Sequence, residues 1–388
     1  MAKSVGAMAG SRAVRAVTGS VGVAGAALAV GMLAERRAIR RRRGAADAAA
    51  PGPLGPIGGR VSTVIAADGV PLHVEETGPA DASLTLVFVH GFCVRAENWI
   101  LQQRDLADLG RMVFFDLRAH GRSGPSAAGN CTIDMLADDL DRVIRERVPD
   151  GPIVLVGHSM GGMAILGLAD AHPDLFGERV IGVALLSTSA SELARATLGV
   201  PALLSAVVRR VVPGVAVGMR HASGVLERVR GRGSDASWEV TRRIAFGGTD
   251  VPPSIVSFLE TLVSDTPVDV IAAFLPTLLD NNRLDAVGHL ATTPTVIVVG
   301  DADVMTPVGH SRVIAAALPE AELVVEEGAG HAIMLERPDV VNAAIRRLVG
   351  RAVAEVPLPR PRSEAGLQTT RDGVGPPSRM EDADGSAA

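Results

Sequence analysis

Six short apolar runs constrain this chain more than any other feature. They are LTLVFVH (84–90), MVFFDL (112–117), IVLVG (153–157), VIGVALLS (180–187), TVIVVG (295–300) and ELVVEEG (322–328). Each is β-branched or aromatic, too short for a buried helix, and apolar at successive positions, which is the pattern of a strand covered on both faces. Helical stretches separate them, clearest in TIDMLADDLDRVIRERV (132–148), where Ile133, Leu136, Leu140 and Val143 recur at helical spacing behind Thr132 as N-cap. Strand and helix in alternation predict a mostly parallel sheet with helices on both faces. Ahead of the series, VSTVIAADGVPLHVEETG (61–78) reads as a hairpin turning at Asp68-Gly69, so the sheet is expected to have about eight strands.

One interval breaks the alternation. Residues 190–276 carry no strand signal and read as helices, among them VPALLSAVVRRVV (200–212), stopped by Pro213. The expectation is a helical cap over the sheet edge where open α/β folds bind ligands, dividing the core into 60–189 and 277–355. Leu203, Leu204, Val207, Val208, Phe258, Leu262, Val263, Phe274 and Leu275 would give it an apolar underside, most of it spent on packing against the body.

The two ends are expected to lie outside this core. Residues 16–34 form an uncharged run long enough as a helix to match a bilayer's hydrocarbon thickness, although rich in Ala and Gly. ERRAIRRRR (35–43) follows at once, where a cleaved signal peptide would place small residues. Three basic residues before the run and six arginines after it put the downstream side in the cytoplasm. Residues 1–43 therefore read as a membrane anchor, spanning or surface-bound, with a polybasic stretch that suits anionic headgroups. Residues 44–59 read as a Pro- and Gly-punctuated linker and 356–388 as a disordered tail. The net charge of −5 gives no general attraction to nucleic acid, and the two cysteines imply neither a disulfide framework nor a zinc cluster. No cofactor or metal is expected.

The chemistry centres on GHSMGG (157–162). Gly-x-Ser-x-Gly alone is a short pattern in a chain with 43 glycines. Its place decides its meaning: Ser159 falls between a buried strand and the helix MGGMAILGLADA (160–171), a strained turn that exposes the hydroxyl at the carboxyl edge of the sheet. That helix also aims its first N–H groups at the site. A serine needs a base held by a carboxylate. Asp301 and Asp303 follow one later strand and His331 the next, so the chain order is Ser, Asp, His, with both aspartates eligible.

Taken together, VHGF (89–92), DLRAHGRS (116–123), GHSMGG (157–162), GDADVMTP (300–307) and GAGHAIMLERP (328–338) resemble the α/β-hydrolase family with a helical cap, over residues 60–355. The resemblance implies Asp303 as the triad acid, through Gly300, Asp303 and Pro307 in the family's pattern, with Asp301 left a turn-forming role. It also implies an oxyanion hole from the backbone N–H groups of Phe92 and Met160. His90, His120, His158, Asp116 and Arg118 are expected to fix loops around the site. The implied reaction is acyl transfer on a carboxylic ester with a lipophilic or acyl part. Carbon–carbon hydrolysis, thioester hydrolysis and cofactor-free haloperoxidase or perhydrolase activity use the same three residues. Epoxide hydrolysis and dehalogenation are disfavoured, because position 159 is not a carboxylate and the chain has no Tyr. A membrane-associated protein that binds a ligand without turnover is the reading from another class. Oligomeric state is not legible.

Overall fold

The computed structural model describes residues 34–45, 47, 52–191, 234–248 and 250–355. The apolar run before residue 34, the 200–212 helix and the tail after 355 lie outside the described residues. Eight strands form one sheet: β1 (Arg60–Ile65), β2 (Pro71–Thr77), β3 (Thr85–Val89), β4 (Arg111–Phe115), β5 (Ile153–His158), β6 (Val180–Leu186), β7 (Thr295–Gly300) and β8 (Glu322–Glu326). Their spatial order is β1-β2-β4-β3-β5-β6-β7-β8. Only the β1–β2 and β2–β4 pairs are antiparallel.

The unbroken apolar runs have a direct cause. Along β3, Val87 and Val89 enter the core on one face of the sheet, whereas Leu86 and Phe88 enter the other; β4 repeats this with Val113 and Phe115 against Met112 and Phe114. Both faces are dry, so beyond the first residues, Thr85 and Arg111, every position in these two strands is apolar. Phe88 and Phe114 stack across the pair with ring centroids 4.7 Å apart.

A helix over residues 34–43 (α1) precedes the sheet. On one face of the sheet lie α2 (Ile133–Arg147) and α3 (Met160–Ala171). Thr132 caps α2, its hydroxyl accepting the Met135 N–H at 3.2 Å. In the interval between β6 and β7 the described residues form α4 (Asp235–Ala245), α5 (Pro253–Ser264) and α6 (Val268–Asp280). α7 (Val308–Ala317) follows β7, and α8 (Pro338–Glu355) covers the second face with Ala344, Ile345 and Leu348.

The structure differs from the expected boundary at the N-terminal side. α1 is docked: Ile39 is buried, Arg40 bonds Asp235 at 2.7 Å, and Arg42 and Arg43 approach Glu239 and Asp235. Ile57, at the end of the expected linker, is buried in the same core. The basic stretch is thus partly neutralised by acids some two hundred residues away, a partnership that local charge counting does not reveal. Among the described residues, no single helix is long and apolar enough to cross a membrane.

Candidate active site

The strand order reverses about β3, which has β4 on one side and β5 on the other. In open α/β sheets the crevice for a ligand opens at the carboxyl ends of strands where the order reverses. The segment after β3 (His90-Gly91-Phe92) and the segment after β5 (Ser159-Met160) both emerge there.

Ser159 adopts φ 51° and ψ −116°, a backbone region that side chains rarely occupy. Three hydrogen bonds hold it. Its N–H donates to the Leu186 carbonyl at 2.9 Å, and its own carbonyl accepts the Met163 N–H at 3.2 Å and the Thr188 hydroxyl at 2.7 Å. The flanking glycines are required by space. A Cβ on Gly161 would stand 2.1 Å from the Val89 carbonyl oxygen, and one on Gly157 2.8 Å from the Gly162 nitrogen. Gly91 approaches from the other side, since a side chain there would meet His158 Nδ1 at 2.6 Å and Ser159 Cβ at 3.3 Å. The β3 loop therefore lies directly against the elbow.

His331 and Asp303 come together as an imidazole–carboxylate pair. His331 Nδ1–H donates to Asp303 Oδ2 at 2.9 Å. The carboxylate is fixed from behind: Oδ1 accepts the N–H groups of Met305 (2.8 Å) and Thr306 (2.9 Å), and Oδ2 accepts the Thr306 hydroxyl (2.8 Å). Burial alone would raise the Asp303 pKa, but the His331 and Thr306 contacts outweigh it and hold the acid below its usual range. Asp301 is exposed and turned away, accepting the Gly328 N–H at 2.7 Å across the loop.

His331 is tied to the nucleophile through His158. His158 Nε2–H donates to the His331 carbonyl at 3.1 Å, and the two rings lie 4.8 Å apart. A carbonyl only accepts, so the His158 proton sits on Nε2. Burial first, and the nearby His331 second, drive its pKa well below the usual value, leaving a neutral connector rather than a base.

The oxyanion segment is framed in a similar way. The Leu117 N–H donates to His90 Nε2 at 2.9 Å, so His90 must carry its proton on Nδ1 and donate it to the Gly91 carbonyl at 2.8 Å. In a trans peptide the Phe92 N–H then points opposite, away from His90. Neither Phe92 nor Met160 has an acceptor for its N–H among the described residues. The Phe92 ring packs on His120 and Phe274, with centroids 6.0 and 6.2 Å away, so α6 rests on this segment. Burial lowers the His120 pKa to about 3.

Asp116 and Arg118 hold loops. Asp116 accepts the N–H groups of Ala96 and Arg122, both at 2.8 Å. Arg118, fully buried, grips Asp139 through two bonds of 2.7 and 2.6 Å and reaches Asp68 in the β1–β2 turn at 2.8 Å. Of the expected apolar underside, Leu262 and Phe274 are buried in the two cores and Phe258 and Val263 pack against one of them. Leu203, Leu204, Val207 and Val208 lie outside the described residues.

Sequence reasoning missed Glu336. Its Oε2 accepts the Gly330 N–H (2.7 Å) and the Gly247 N–H (3.2 Å), while Oε1 accepts the Gly248 N–H (2.7 Å). One buried carboxylate thus joins the His331 loop to the segment after α4. Its presence in GAGHAIMLERP was the available signal, but three backbone partners cannot be read from a motif. Thr188 and Thr306 were likewise unassigned.

A hydroxyl on a strained strand-to-helix turn, a carboxylate-held histidine tied to that turn through His158, and two N–H groups without an acceptor are the parts of a hydrolase site. The family comparison agrees. The model of the alpha/beta hydrolase fold matches residues 85–338, and the chain belongs to that family. It is similar to a proline iminopeptidase of Neisseria meningitidis, at 26% identity over 291 residues, covering 71% of this chain and 90% of the relative. It is also similar to the dihydrolipoyllysine-residue acetyltransferase component of the acetoin cleaving system of Cupriavidus necator, at 39% identity over 103 residues, which is only 26% of either chain. Among solved structures, a thermophilic esterase from Thermogutta terrifontis superposes with a TM-score of 0.59 and 24% identity, covering 76% of this chain and 99% of the esterase. The protein is an enzyme of the hydrolase class.

Proposed function

We propose that the enzyme cleaves a carboxylic ester with a lipophilic or acyl part through an acyl-enzyme on Ser159. The observation that carries this reading is the 2.9 Å bond from His331 Nδ1 to an Asp303 carboxylate pinned by Met305 and Thr306. It fixes the tautomer in which Nε2 is free to take a proton. In this mechanism Ser159 Oγ attacks the carbonyl as its proton passes to His331. Asp303 steadies the imidazolium, and the Phe92 and Met160 N–H groups hold the oxyanion. The alcohol leaves with the proton from His331, and water resolves the acyl-enzyme by the same path.

The test is a fluorophosphonate probe on the full chain, on Ser159→Ala and on His331→Ala. Labelling of the wild type alone supports the reading; absence of labelling favours a protein that binds without turnover. A panel of esters, thioesters and carbon–carbon substrates then separates the chemistries that share these residues.

Residues 190–276 are assigned as the cap, supported by the Phe274 contact with Phe92 and by the Arg95–Asp265 bond of 2.5 Å. Residues 16–43 are assigned to a membrane, with the hydrolase on its cytoplasmic side. Arg37 and Arg41, both exposed, lie on the side of α1 opposite the docked Ile39 and suit anionic headgroups. Release of the protein from membranes by high salt would mean surface binding; retention would mean a spanning helix.

A further inference from the structure

The apolar run of residues 16–34 leads straight into α1, so wherever that run lies, α1 begins beside it. α1 is not free to swing. Ile39 is buried against the body, Arg40 bonds Asp235 at 2.7 Å, and Arg43 approaches the same carboxylate at 3.6 Å. Any surface that α1 meets is therefore offered to α4 as well.

The two helices enclose an open groove of about 660 Å³, lined by Arg36, Ile39 and Arg40 from α1 and by Ala236, Val240 and Arg243 from α4. Val240 is 56% exposed, and Ile244, one turn on, is 44% exposed. At helical spacing these two lie opposite the buried Trp238, just as Arg37 and Arg41 lie opposite the buried Ile39. Both pairs thus point away from the body, and together they make an apolar strip edged by arginines. Exposed apolar side chains paired on one face and rimmed by charge mark an interaction surface.

Charge narrows the choice of partner. Residues 34–43 and 234–245 carry eight arginines against Glu35, Asp235 and Glu239, in a chain whose net charge is −5. Arg36, Arg37 and Arg41 have no carboxylate partner among the described residues. Such arginines keep their attraction for an anionic surface while the acidic remainder is repelled, so the field turns this face toward it. The apolar strip decides between anionic surfaces. A nucleic acid offers phosphates to the arginines but no hydrocarbon to Val240 and Ile244, whereas an anionic bilayer offers both at successive depths.

The same helix reaches the active site. One residue beyond Ile244, the Ala245 carbonyl accepts the Ala332 N–H at 2.8 Å, and the Gly247 and Gly248 N–H groups bond Glu336. The end of the helix that carries the strip therefore holds the loop that carries His331.

We propose that α1 and α4 form one docking face for an anionic lipid bilayer, with Arg36, Arg37 and Arg41 at the headgroups and Val240 and Ile244 entering the acyl boundary. This extends the membrane assignment of residues 16–43 and does not require that run to span.

The experiment places an indole on the strip in the full chain, as Val240→Trp and separately as Ile244→Trp, and measures quenching by brominated acyl chains. Trp99 and Trp238 are both buried, so the wild type gives the baseline. The vesicles are phosphatidylcholine alone, or phosphatidylcholine and phosphatidylglycerol at about two to one. Quenching above baseline should be at least about threefold greater on the anionic vesicles, and adding Arg36→Gln, Arg37→Gln and Arg41→Gln should reduce it to the neutral level. No quenching in either variant would overturn the face; if the protein still sediments with both vesicles, residues 16–34 alone hold it and the anchor assignment survives. Quenching with sedimentation on anionic vesicles only, reversed by salt, supports the face while the spanning reading fails. Equal quenching on both vesicles, or quenching unchanged by the three glutamines, would overturn the role of the arginines. An equal change in indole emission on duplex DNA without lipid would overturn the assignment to a bilayer.

Discussion

Replacing Asp303 by Asn separates the two aspartates that follow β7. The Asp303 Oδ1 position accepts two backbone N–H groups, from Met305 and Thr306, so the amide oxygen of the new side chain would settle there. Its NH2 group would then occupy the Oδ2 position, facing His331 Nδ1. An NH2 group donates, so Nδ1 would have to accept and the ring proton would move to Nε2, where it blocks removal of the Ser159 proton. The fold should survive, since only the Thr306 hydroxyl must turn from donating to accepting. The loss in kcat should be about 10³- to 10⁴-fold, roughly 4 to 5.5 kcal/mol of transition-state stabilisation. Asp301→Asn keeps the oxygen that accepts the Gly328 N–H and should change kcat by less than about threefold. The assay is ester turnover with fluorophosphonate labelling rate, and a melting curve for each variant. A folded Asp303→Asn enzyme with more than about a tenth of wild-type activity would refute the reasoning, as would an equal loss in Asp301→Asn.

Acid should weaken the fold well before carboxylates titrate. Burial lowers the pKa of His90, His120, His158 and His310, while an unfolded histidine titrates near 6.5. Their folded pKa values lie below the unfolded ones, so this stability is fully present above pH 6.5 and declines as pH falls toward the folded values, about 3 for His120. The slope is about 1.4 kcal/mol per pH unit for each proton taken up on unfolding, measured by urea titrations from pH 7.5 to 5; a flat profile would count against neutral buried rings. Asp139→Ala leaves the fully buried Arg118 with only the partly exposed Asp68 as a carboxylate partner and should cost about 3 kcal/mol in denaturant unfolding. A cost below about 1 kcal/mol would mean that the guanidinium finds water. Glu336→Ala frees three N–H groups around the His331 loop and should lower kcat at least about tenfold with little change in KM. Equal kinetics would show that the loop is held by packing alone.

The fold was legible because β3 to β7 are buried on both faces, which leaves no polar interruption within them; β8, expected to be covered in the same way, is instead a partly exposed edge strand with Val325 40% exposed. The elbow was legible for a related reason: Gly157 and Gly161 face backbone atoms at distances no side chain tolerates, so the local pattern records a steric requirement. What remained unread depends on partners distant in sequence. Glu336 acts through Gly247 and Gly248, His158 through the carbonyl of His331, and α1 through Asp235 and Glu239. In each case the sequence shows a polar residue of suitable type, but the hydrogen-bond partner is brought to it only by the folded sheet. Asp301 and Asp303 lay between these extremes, separable by resemblance at the sequence level and by hydrogen bonds in the structure.

The histidines illustrate how burial divides labour within one site. His90 is locked by Leu117 and Gly91 into the tautomer that turns the Phe92 N–H outward, and His158 is locked by the His331 carbonyl into the opposite one. Neither has a carboxylate bonded to its ring, so desolvation keeps each neutral and its proton fixed. His331 is buried too, but it alone of these three has a carboxylate against Nδ1, the arrangement that stabilises an imidazolium when one forms. A site crowded with imidazoles therefore has one that is equipped to exchange a proton. The others serve as rigid connectors because the protein withholds the charge that would let them do more.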